Sequence, residues 1–473
     1  MVSIKFFGGV GEIGGNKILI ETSKARVFFD FGMSFKRMGM FYDEFMNPRK
    51  YNGIGDFIEM GLIPWQDGLY RNDFVKKAGK EESELKFDAV FLSHGHTDHT
   101  AMIPLLHNEI PIYCSSETKK IIQSMQETGN ASFGDYVKYR ECFTGLHYTK
   151  NPQIDRPINI FKKGDKIVIK DLEIEPIPVD HSVPGAFGFA IHTPKGTIIY
   201  SGDLRLHGSN GKLTEEFAEQ CATYKPEILL IEGTRITGDK SVTEKQVEEK
   251  IDEYVKKTKE LVIANFPPRD IDRFMTFYNV AKQNKRKLII NFKLAYLLKL
   301  LKEDDPTLPD LEDEFIQIYC KRAKDGRITE GFSYEEYKKD YATWEREFLA
   351  LSNYVTSKMI DQKKSIFYCN AWGFGELIDI KPKKGSSYIY SLCEPFNDEM
   401  ELDMIRVKNW LEHFDLPFYT AHASGHASKS DLFKIVKKIN PKTIVPIHSE
   451  KPEFYKETGM NVKIPSIENE IKL

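Results

Sequence analysis

The residues most able to do chemistry lie in the segment His94-Gly-His96-Thr-Asp98-His99. It places three imidazoles and a carboxylate within six positions, although the chain has only 12 histidines in 473 residues. The largely apolar run 88–93 predicts a strand, and the turn after it can direct two of these side chains to each of two cations. Imidazole and carboxylate together suit zinc or manganese better than calcium or magnesium. The pattern predicts a binuclear metal site, and a polar loop rich in histidine is the alternative.

Four side chains cannot fill two coordination shells, so we expect further ligands after other strands. Three strand-like apolar runs end in such a residue: His181, Asp203 and His448. Each is weak evidence alone, since a histidine or aspartate at a strand end is more often a satisfied surface or core residue. Together with the first segment they form a series of candidate ligands.

The glycine-rich segment Gly9-Val-Gly-Glu-Ile-Gly14 imitates a dinucleotide-binding motif, with an acidic residue, Asp30, about twenty positions further on. That motif requires a helix after the glycines. Two short β-rich runs, 17–22 and 26–29, follow instead and indicate a hairpin. We expect the glycines to permit tight turns and a close backbone approach at the rim of a metal cleft.

In this order the motifs resemble the metallo-β-lactamase superfamily, whose members carry HxHxDH, then a histidine, then an aspartate that bridges two metals. Three further segments resemble motifs of its β-CASP branch of nucleic-acid-processing enzymes: Ile228-Leu-Leu-Ile-Glu232, Ala423-Ser-Gly-His426 and Pro446-Ile-His448. Within that branch the chain is most similar to the ribonuclease J family, from Ser3 to about Glu450.

The resemblance implies two divalent cations, zinc or manganese, and assigns three ligands to each. The first set is His94, His96 and His181, and the second is Asp98, His99 and His448. Asp203 is expected to bridge the cations together with a water or hydroxide, and two such cations lie ~3.5–4 Å apart.

The resemblance also implies the catalytic residues: Asp98, Asp203, Glu232 and His426. The bridging hydroxide is expected to attack phosphorus in line, with His426 as the general acid for the leaving oxygen. Glu232 would hold that imidazole in position and favour its charged form. The alternative is that His426 only caps a helix predicted over 428–439.

Four other residues have expected roles around this centre. Asp30 matches the family's first motif and would orient a ligand histidine by a hydrogen bond, although it is as readily interpreted as a turn aspartate. His422, Ser424 and Gly425 are expected to receive a substrate phosphate, helped by the N-terminus of the 428–439 helix.

The elements that must position these residues change along the chain. Short β-rich runs fill it to about residue 205, and from Glu227 strands alternate with predicted helices over 241–257, 270–284 and 293–302. We expect a capping box of Ser241 and Glu244 to open the first of these helices. Alternation of this kind indicates a parallel-sheet α/β unit. Because it lies between two candidate ligands, Asp203 and His448, it must be an insertion.

The predicted fold class is α/β, a metallo-β-lactamase αββα sandwich with an inserted parallel-sheet β-CASP domain. We expect the first part of the metallo-β-lactamase domain at residues 1–235, the insert at 236–395 and the C-terminal part at 396–473. Segments 33–85 and 303–362 add material beyond compact relatives. Since the chain ends 25 residues after His448, we expect it to lack the C-terminal domain of bacterial ribonuclease J.

Composition limits the function classes. A net charge of −3 lacks the basic excess of proteins that bind nucleic acid by neutralising phosphates. The basic runs 282–287, 321–324 and 381–384 are interpreted either as groove linings or as solvated faces. No apolar run reaches the ~18 residues of a membrane span, and the N-terminus lacks a signal-peptide pattern. Six scattered cysteines without a CxxC pair indicate reduced thiols. We therefore predict a cytoplasmic protein without membrane association.

The leading hypothesis is a metal-dependent ribonuclease that acts on single-stranded RNA as a 5′-to-3′ exonuclease, with endonuclease activity as a second mode. The resemblance also implies a homo-oligomer, a dimer. A single-stranded DNA nuclease is the nearest alternative, since only 2′-hydroxyl contacts separate the two substrates. A small-substrate metallo-hydrolase would not need Glu232, His426 or the insert, and a non-catalytic scaffold would not need a complete ligand set.

Overall fold

The computed structural model describes residues 1–42, 45–142, 151–394, 398–467 and 469–473. These residues form two compact units. The first unit comprises Met1–Ser241 and Gly425–Leu473, and the second comprises Val242–Ser424. The second unit therefore interrupts the first, as the motif order predicts.

The strands fall into three groups along the chain: those of the first unit before the insertion, those of the insertion, and those of the first unit after it. Those before it are β1 (Ser3–Phe6), β2 (Ile18–Glu21), β3 (Arg26–Phe29), β4 (Ala89–Phe91), β5 (Ile112–Cys114), β6 (Lys138–Tyr139), β7 (Ile154–Asp155), β8 (Ile158–Ile160), β9 (Ile167–Ile169), β10 (Leu172–Pro178), β11 (Phe187–Thr193), β12 (Gly196–Tyr200) and β13 (Ile228–Glu232). The insertion contributes β14 (Val262–Asn265), β15 (Lys287–Asn291), β16 (Ile316–Tyr319), β17 (Tyr354–Val355), β18 (Ser365–Tyr368), β19 (Ser387–Tyr390) and β20 (Phe418–Thr420). The first unit resumes with β21 (Thr443–Ile447) and β22 (Glu470–Lys472).

The helices follow the same division. The first unit has α1 (Phe35–Gly39), α2 (Gly55–Glu59), α3 (Asn72–Lys77), α4 (Thr97–Thr100), α5 (Ser116–Thr128) and α6 (Gly211–Thr223). The second has α7 (Glu244–Lys257), α8 (Ile271–Gln283), α9 (Phe292–Leu301), α10 (Tyr334–Tyr337), α11 (Glu376–Ile380) and α12 (Asp398–His413), and the first resumes with α13 (Lys429–Ile439). No helix in the described ranges is long and apolar enough to cross a bilayer.

Two sheets pack face to face in the first unit. Their strand orders are β22-β1-β2-β3-β4-β5-β8 and β21-β13-β12-β11-β10-β9. Side chains alternate across each strand, so Phe29 and Phe91 of one sheet meet Phe189 and Tyr200 of the other in a shared buried core. The ring centroids of Phe29 and Phe189 lie 5.5 Å apart.

The outer face of each sheet is covered by helices. Phe28 of β3 packs in a core with Phe74 of α3 and Ile122 of α5, while Ile199 of β12 packs with Phe217 of α6 and buried residues of α13. The order is therefore helix, sheet, sheet, helix. This confirms the predicted αββα sandwich.

The second unit is built on a parallel sheet with strand order β17-β16-β15-β18-β14-β19-β20. Every pairing in it is parallel, as the alternation of strands and helices predicts. After β15 the chain continues to β16 on one side. After β18 it passes β14 to reach β19 on the other side. The two adjacent strands β15 and β18 are thus followed by connections that run in opposite directions.

The first helix of the insertion begins later than predicted, at Glu244. The capping box uses Thr243 and Gln246, and not Ser241 and Glu244. The reason is that the Glu244 carboxylate is engaged elsewhere, accepting hydrogen bonds of 3.1–3.2 Å from the fully buried Arg273 guanidinium.

The limits of the insertion also differ from those predicted. The chain leaves the first unit after Ser241, close to the predicted residue 235. The predicted second limit, between residues 395 and 396, lies outside the described residues. The chain beyond it still belongs to the second unit as far as Ser424, because β20 pairs with β19 and extends the parallel sheet.

Candidate metal centre

The HxHxDH segment occupies the turn between β4 and α4. His96 is the residue before the first turn of α4, and Asp98 and His99 lie within that turn. Gly95 lies against α5, where a Cβ atom would approach Cγ2 of Ile121 to 2.8 Å. The motif therefore places its ligands on both sides of a tight turn, and the glycine is required by packing.

The first predicted set of ligands converges on one point. Nε2 of His94 lies 3.0 Å from Nδ1 of His96, which lies 3.1 Å from Nε2 of His181. Asp203 completes this group, in which all ligand atoms lie within 4.8 Å of one another. The histidine after β10 and the aspartate after β12 are thus brought to the HxH motif, as predicted.

The second predicted set converges beside the first. Nε2 of His448 lies 3.1 Å from Oδ2 of Asp98, and Nε2 of His99 lies 3.7 Å from the same atom. Asp203 also belongs to this group. His448 reaches it from the end of β21, which pairs with β13 in the second sheet.

One oxygen of Asp203 is central to both sets. Its Oδ2 atom lies 3.3 Å from Nε2 of His99 and 3.7 Å from that of His448 in one set. It lies 3.7 Å from Nε2 of His94 and 3.8 Å from that of His181 in the other. This is the position that a carboxylate shared by two cations must occupy.

The donor atoms fit divalent cations. Nε2 of His99 and Oδ1 of Asp203 are buried and make no hydrogen bond of ordinary geometry to a described residue, which is costly unless another group binds them. Burial above all holds the pKa of His94 and of His181 well below its usual range, so both present neutral nitrogens. Nitrogen and carboxylate donors in this mixture suit zinc or manganese.

The shifted pKa values of two further groups, Asp203 and His99, favour the same conclusion. Burial would raise the pKa of Asp203, but the His448 and His99 imidazoles outweigh it and hold it well below its usual range. Burial would lower the pKa of His99, but the Asp203 and Asp98 carboxylates raise it well above 6.5. A cation bound at Nε2 of His99 would take the place of that proton, because metal binding releases protons from its ligands.

Asp30 lies behind two of the ligand histidines. Its Oδ2 accepts a hydrogen bond from Nδ1 of His99 at 2.7 Å, from the Ser93 hydroxyl at 2.8 Å and from the Tyr200 hydroxyl at 2.5 Å. The Ser93 oxygen lies 3.0 Å from Nδ1 of His94. The contacts to His99 and His94 occupy the Nδ1 atom of each ring and direct its Nε2 atom to the centre.

His181 and His448 also direct Nε2 to the centre, and different groups orient their rings. Nδ1 of His181 donates to the carbonyl of Gly425 at 2.6 Å, and Nδ1 of His448 lies 2.8 Å from Oγ1 of Thr234. A Cβ atom on Gly425 would approach Oγ of Ser182 to 2.7 Å. The predicted phosphate-binding residue Gly425 therefore directs its carbonyl to a ligand histidine, and only its N–H is left for that role.

Asp30 and His448 adopt a backbone conformation that is uncommon for residues with side chains. Their φ angles are 57° and 48°. Aspartate and histidine enter this left-handed region more readily than most residues, but it still stores strain that the surrounding structure must hold. Both residues follow directly on a strand and turn their side chains to the same centre.

The glycine-rich segment lies against the centre and precedes a β-hairpin, as predicted, since β2 and β3 are antiparallel. The carbonyl of Gly9 accepts from the His448 backbone N–H at 2.7 Å, and the Gly15 N–H donates to the Asp98 carbonyl at 3.0 Å. At Gly14, with φ +77°, a Cβ atom would lie 2.7 Å from Cβ of Asp98. The glycines allow the backbone to hold two ligands closely.

His426 and Glu232 form a pair at the edge of the centre. Nδ1 of His426 lies 3.0 and 3.1 Å from the two oxygens of Glu232, and 3.8 Å from Oδ2 of Asp203. Burial would lower the pKa of His426, but the Glu232 and Asp203 carboxylates raise it to about 9. Glu232 is fully buried, whereas the His426 side chain remains 21% exposed, so it is accessible from solvent.

The remaining predicted residues are placed as follows. His422 and Ser424 are among the last three residues of the second unit, and Ser424 directly precedes Gly425 in the chain. The N-terminus of α13 is capped by the Ser428 hydroxyl, which accepts from the Asp431 N–H, so the cap does not involve His426. Among the basic runs, Arg286 is structural, because its guanidinium is buried on backbone carbonyls.

Sequence reasoning missed three residues that position ligands: Ser93, Tyr200 and Thr234. Ser93 directly precedes the HxHxDH motif, and Thr234 follows Glu232 by two positions, so a hydroxyl beside each motif was the available signal. Tyr200 carries no such signal. Its hydroxyl reaches Asp30 from the facing sheet, and it accepts from the Asn16 amide at 3.0 Å.

Two family models match the chain. A model of the beta-lactamase superfamily domain matches residues 67–256, and a model of the Zn-dependent metallo-hydrolase RNA specificity domain matches residues 418–465. The first covers the HxHxDH segment, His181, Asp203 and Glu232. The second covers His426 and His448.

Several proteins named ribonuclease J are similar to nearly the whole chain. That of Mycoplasma pneumoniae is 23% identical over 94% of this chain and 67% of its own length. That of Helicobacter pylori strain 26695 is 24% identical over 98% of this chain, which spans only 58% of the relative. For Pyrococcus abyssi the identity is 23%, over 95% of this chain and 90% of the relative. A crystal structure of a protein of unknown function from Enterococcus faecalis V583 has a TM-score of 0.74 and 25% identity, over 100% of both chains.

Proposed function

Because this chain belongs to the ribonuclease J-like, β-CASP branch of the metallo-β-lactamase superfamily, we propose that it is a metal-dependent ribonuclease that hydrolyses phosphodiester bonds of single-stranded RNA. The observation that carries the proposal is the place of His426, 3.0 Å from Glu232 and 3.8 Å from Asp203. A proton donor held beside a two-metal site serves a leaving oxygen of high pKa. The alkoxide released from a phosphodiester is such a group.

The ligand sets described above would hold two cations, zinc or manganese. His94, His96 and His181 would hold one, and Asp98, His99 and His448 would hold the other, with Asp203 shared. When bound, the cations supply a water that is deprotonated near neutral pH and stabilise the charge that develops around phosphorus in an in-line displacement.

His426 supplies the proton for the leaving group. Its Nδ1 faces Glu232, which makes Nε2 the nitrogen that transfers a proton to the departing oxygen. With a pKa raised to about 9, the imidazole is protonated at neutral pH and can donate. In hydrolysis that leaves a 5′-phosphate on the shortened strand, the bond that breaks joins phosphorus to a 3′-oxygen.

Glu232 is a positioning residue for this step. One of its oxygens accepts from the Leu204 N–H at 3.0 Å, and the other accepts from the Thr234 N–H at 3.1 Å. Leu204 is the neighbour of Asp203 in the chain. The carboxylate is therefore fixed by the same backbone that carries the shared ligand, and it fixes the imidazole in turn.

The proposed 5′-to-3′ direction of RNA degradation rests on the loop before His426. We assign His422, Ser424 and the N–H of Gly425 to a 5′-phosphate of the substrate, which would make the enzyme a 5′-to-3′ exonuclease. The order of these residues in the chain, directly before the proton donor, supports this assignment. Replacing Ser424 by alanine is expected to abolish a preference for 5′-monophosphorylated over 5′-triphosphorylated RNA. An unchanged preference would contradict the role.

The test of the main proposal compares wild type and His426→Ala on 5′-phosphorylated RNA, 5′-triphosphorylated RNA and single-stranded DNA with Mn²⁺ or Zn²⁺. Wild type is expected to release mononucleotides from RNA, and the variant to be slower by about 10²- to 10⁴-fold with unchanged metal content. A bridging 3′-sulfur in the RNA should restore the variant, because a thiolate leaves without a proton. Release from DNA alone would overturn the RNA assignment, and full activity of the variant would overturn the role of His426.

A further inference from the structure

A cavity of about 340 Å³ opens in the second unit, where the strands of its parallel sheet end. Its lining comes from the carboxyl ends of three strands and the chain that follows them: Asn291 ends β15 and Lys293 follows it, Lys321 follows β16, and Asn370 and Trp372 follow β18. None of these residues belongs to the metal centre or to the motifs that identify the family. The cavity is therefore a separate feature that the proposed function does not use.

The topology of the sheet explains why a cavity forms there. β15 and β18 are neighbours, but the connection after β15 leads to one side of the sheet and the connection after β18 leads to the other. In open parallel sheets, such a switch point separates the loops and leaves a crevice at the carboxyl ends of the strands, where ligands bind. The lining residues lie at this crevice.

The side chains around the crevice combine exposed aromatic surface with positive charge. Trp372 is 91% exposed, which leaves a large flat ring in contact with water. Lys293 is exposed at the second position of α9, and Lys321 is exposed after β16. The N-terminus of α9, capped by Asn291, adds partial positive charge and backbone N–H groups.

The acidic residues of the lining are engaged in other contacts. Glu376 accepts a hydrogen bond from the Tyr319 hydroxyl at 2.7 Å, and burial raises the pKa of its carboxyl. Glu345 accepts from the Ala342 backbone N–H at 2.8 Å. The lysines are thus the charges best placed to meet a ligand, and they favour an anion.

A buried hydroxyl gives an independent indication of a ligand. Tyr368 lines the cavity and is only 3% exposed, yet its hydroxyl makes no hydrogen bond of ordinary geometry to a described residue. Its ring is held by Phe266, with centroids 4.5 Å apart, and Asn370 is the polar side chain beside the hydroxyl. Asn370 approaches this hydroxyl without giving it a hydrogen bond of ordinary geometry, so a ligand that hydrogen-bonds to it gains affinity.

We propose that this cavity is a binding subsite for one nucleotide, with its base stacked on Trp372, a base edge at the Tyr368 hydroxyl and its phosphate at Lys293 and the first turn of α9. A nucleotide combines the flat π-face, polar edge and anion that these groups recognise. The nucleotide is either one unit of an RNA strand or a free nucleoside 5′-monophosphate. The first source rests on the proposed function, whereas the second does not.

The experiment measures the affinity of adenosine 5′-monophosphate for the full chain by calorimetry. Trp372→Ala is expected to weaken binding by roughly tenfold or more. Tyr368→Phe, which keeps the ring and removes only the hydroxyl, is expected to weaken it roughly 3- to 10-fold. Lys293→Ala should also weaken binding. The matched controls are Phe332→Ala, another exposed aromatic residue of the second unit, and Lys364→Ala, another exposed lysine, and both should bind as wild type does.

A second arm follows hydrolysis of 5′-phosphorylated oligoadenylate RNA. If the subsite takes a unit of the strand, Trp372→Ala raises KM and leaves kcat unchanged. If it takes the free nucleotide, KM is unchanged while binding of adenosine 5′-monophosphate is lost. Both results support a nucleotide subsite. Equal binding of the monophosphate by wild type and the three cavity variants would overturn it. An absence of RNA hydrolysis would contradict the proposed function and leave the first arm intact.

Discussion

The Oδ2 atom of Asp30 lies 2.7 Å from Nδ1 of His99, and neither side chain is exposed to solvent. This contact fixes the imidazole so that Nε2 faces the metal centre. We expect Asp30→Asn to lower zinc affinity about tenfold or more, because the amide cannot supply the charge that strengthens this ligand. Asparagine is chosen since it tolerates the positive φ of 57° at this position.

Zinc content after dialysis against graded chelator concentrations measures the effect. Asp155→Ala is the control, because that side chain is 81% exposed and belongs to the same unit. Unaltered zinc retention in Asp30→Asn would exclude an orienting role for Asp30.

Alanine variants of two glycines in the glycine-rich segment distinguish the effect of a steric clash from the effect of backbone strain. Gly14 and Gly11 have φ angles of +77° and +65°, but only at Gly14 would a Cβ atom meet another residue, Asp98 at 2.7 Å. Both alanine variants should lose about 1 kcal/mol of stability from strain. Only Gly14→Ala should also lose metal affinity, because Asp98 must move. Equal metal affinity in the two variants would refute this distinction.

Glu232→Gln tests the positioning of the proton donor. Glutamine keeps the shape but not the charge that raises the pKa of His426. We expect kcat on RNA to fall about 10²-fold with little change in KM or zinc content. Glu227→Gln, near the start of the same strand, is the control, since its carboxylate pairs with Lys442 at the surface. A rise in KM alone would assign Glu232 to substrate binding.

The buried Lys17 predicts a dependence of stability on alkaline pH. Burial lowers the pKa of its ammonium from 10.5 to about 8, and the Glu12 carboxylate opposes this only in part. Between pH 8 and 10.5 the unfolded chain therefore holds more protons, so stability at this position rises with pH. The unfolding free energy of wild type relative to Lys17→Met should increase by about 3 kcal/mol from pH 7 to 10.5.

Urea unfolding at several pH values measures this difference. The Lys24→Met variant, at an exposed position of the same unit, is the control. A constant difference between wild type and Lys17→Met across that range would show that the folded chain does not release this proton early.

Much of the centre was predictable because its ligands lie where strands end. His181, Asp203 and His448 each follow an apolar run, and the structure brings all three to the HxHxDH turn. The fold class was predictable for a similar reason, since short β-rich runs and a later alternation of strands and helices have distinct periodicities.

The groups that orient the ligands were less accessible to sequence reasoning. Thr234 reaches His448 across 214 positions, and Tyr200 reaches Asp30 across 170. Such contacts depend on how strands are placed side by side, which no local pattern encodes. The second limit of the insertion was placed too early because β20 is an edge strand of only 3 residues, too short to show a periodic pattern. The homo-oligomer and the cytoplasmic location stay predictions.

The interruption of the first unit has a consequence for synthesis of the chain. When the ribosome has completed β13, six of the seven candidate ligand residues have been made, but His448 and the proposed proton donor His426 have not. β13 then lacks its parallel partner β21, so one of its edges is an open hydrogen-bonding strand while the whole insertion is translated. Unpaired strand edges of this kind make incomplete chains prone to pair wrongly with one another. The candidate metal centre is complete only when β21 closes that edge and brings His448 to it.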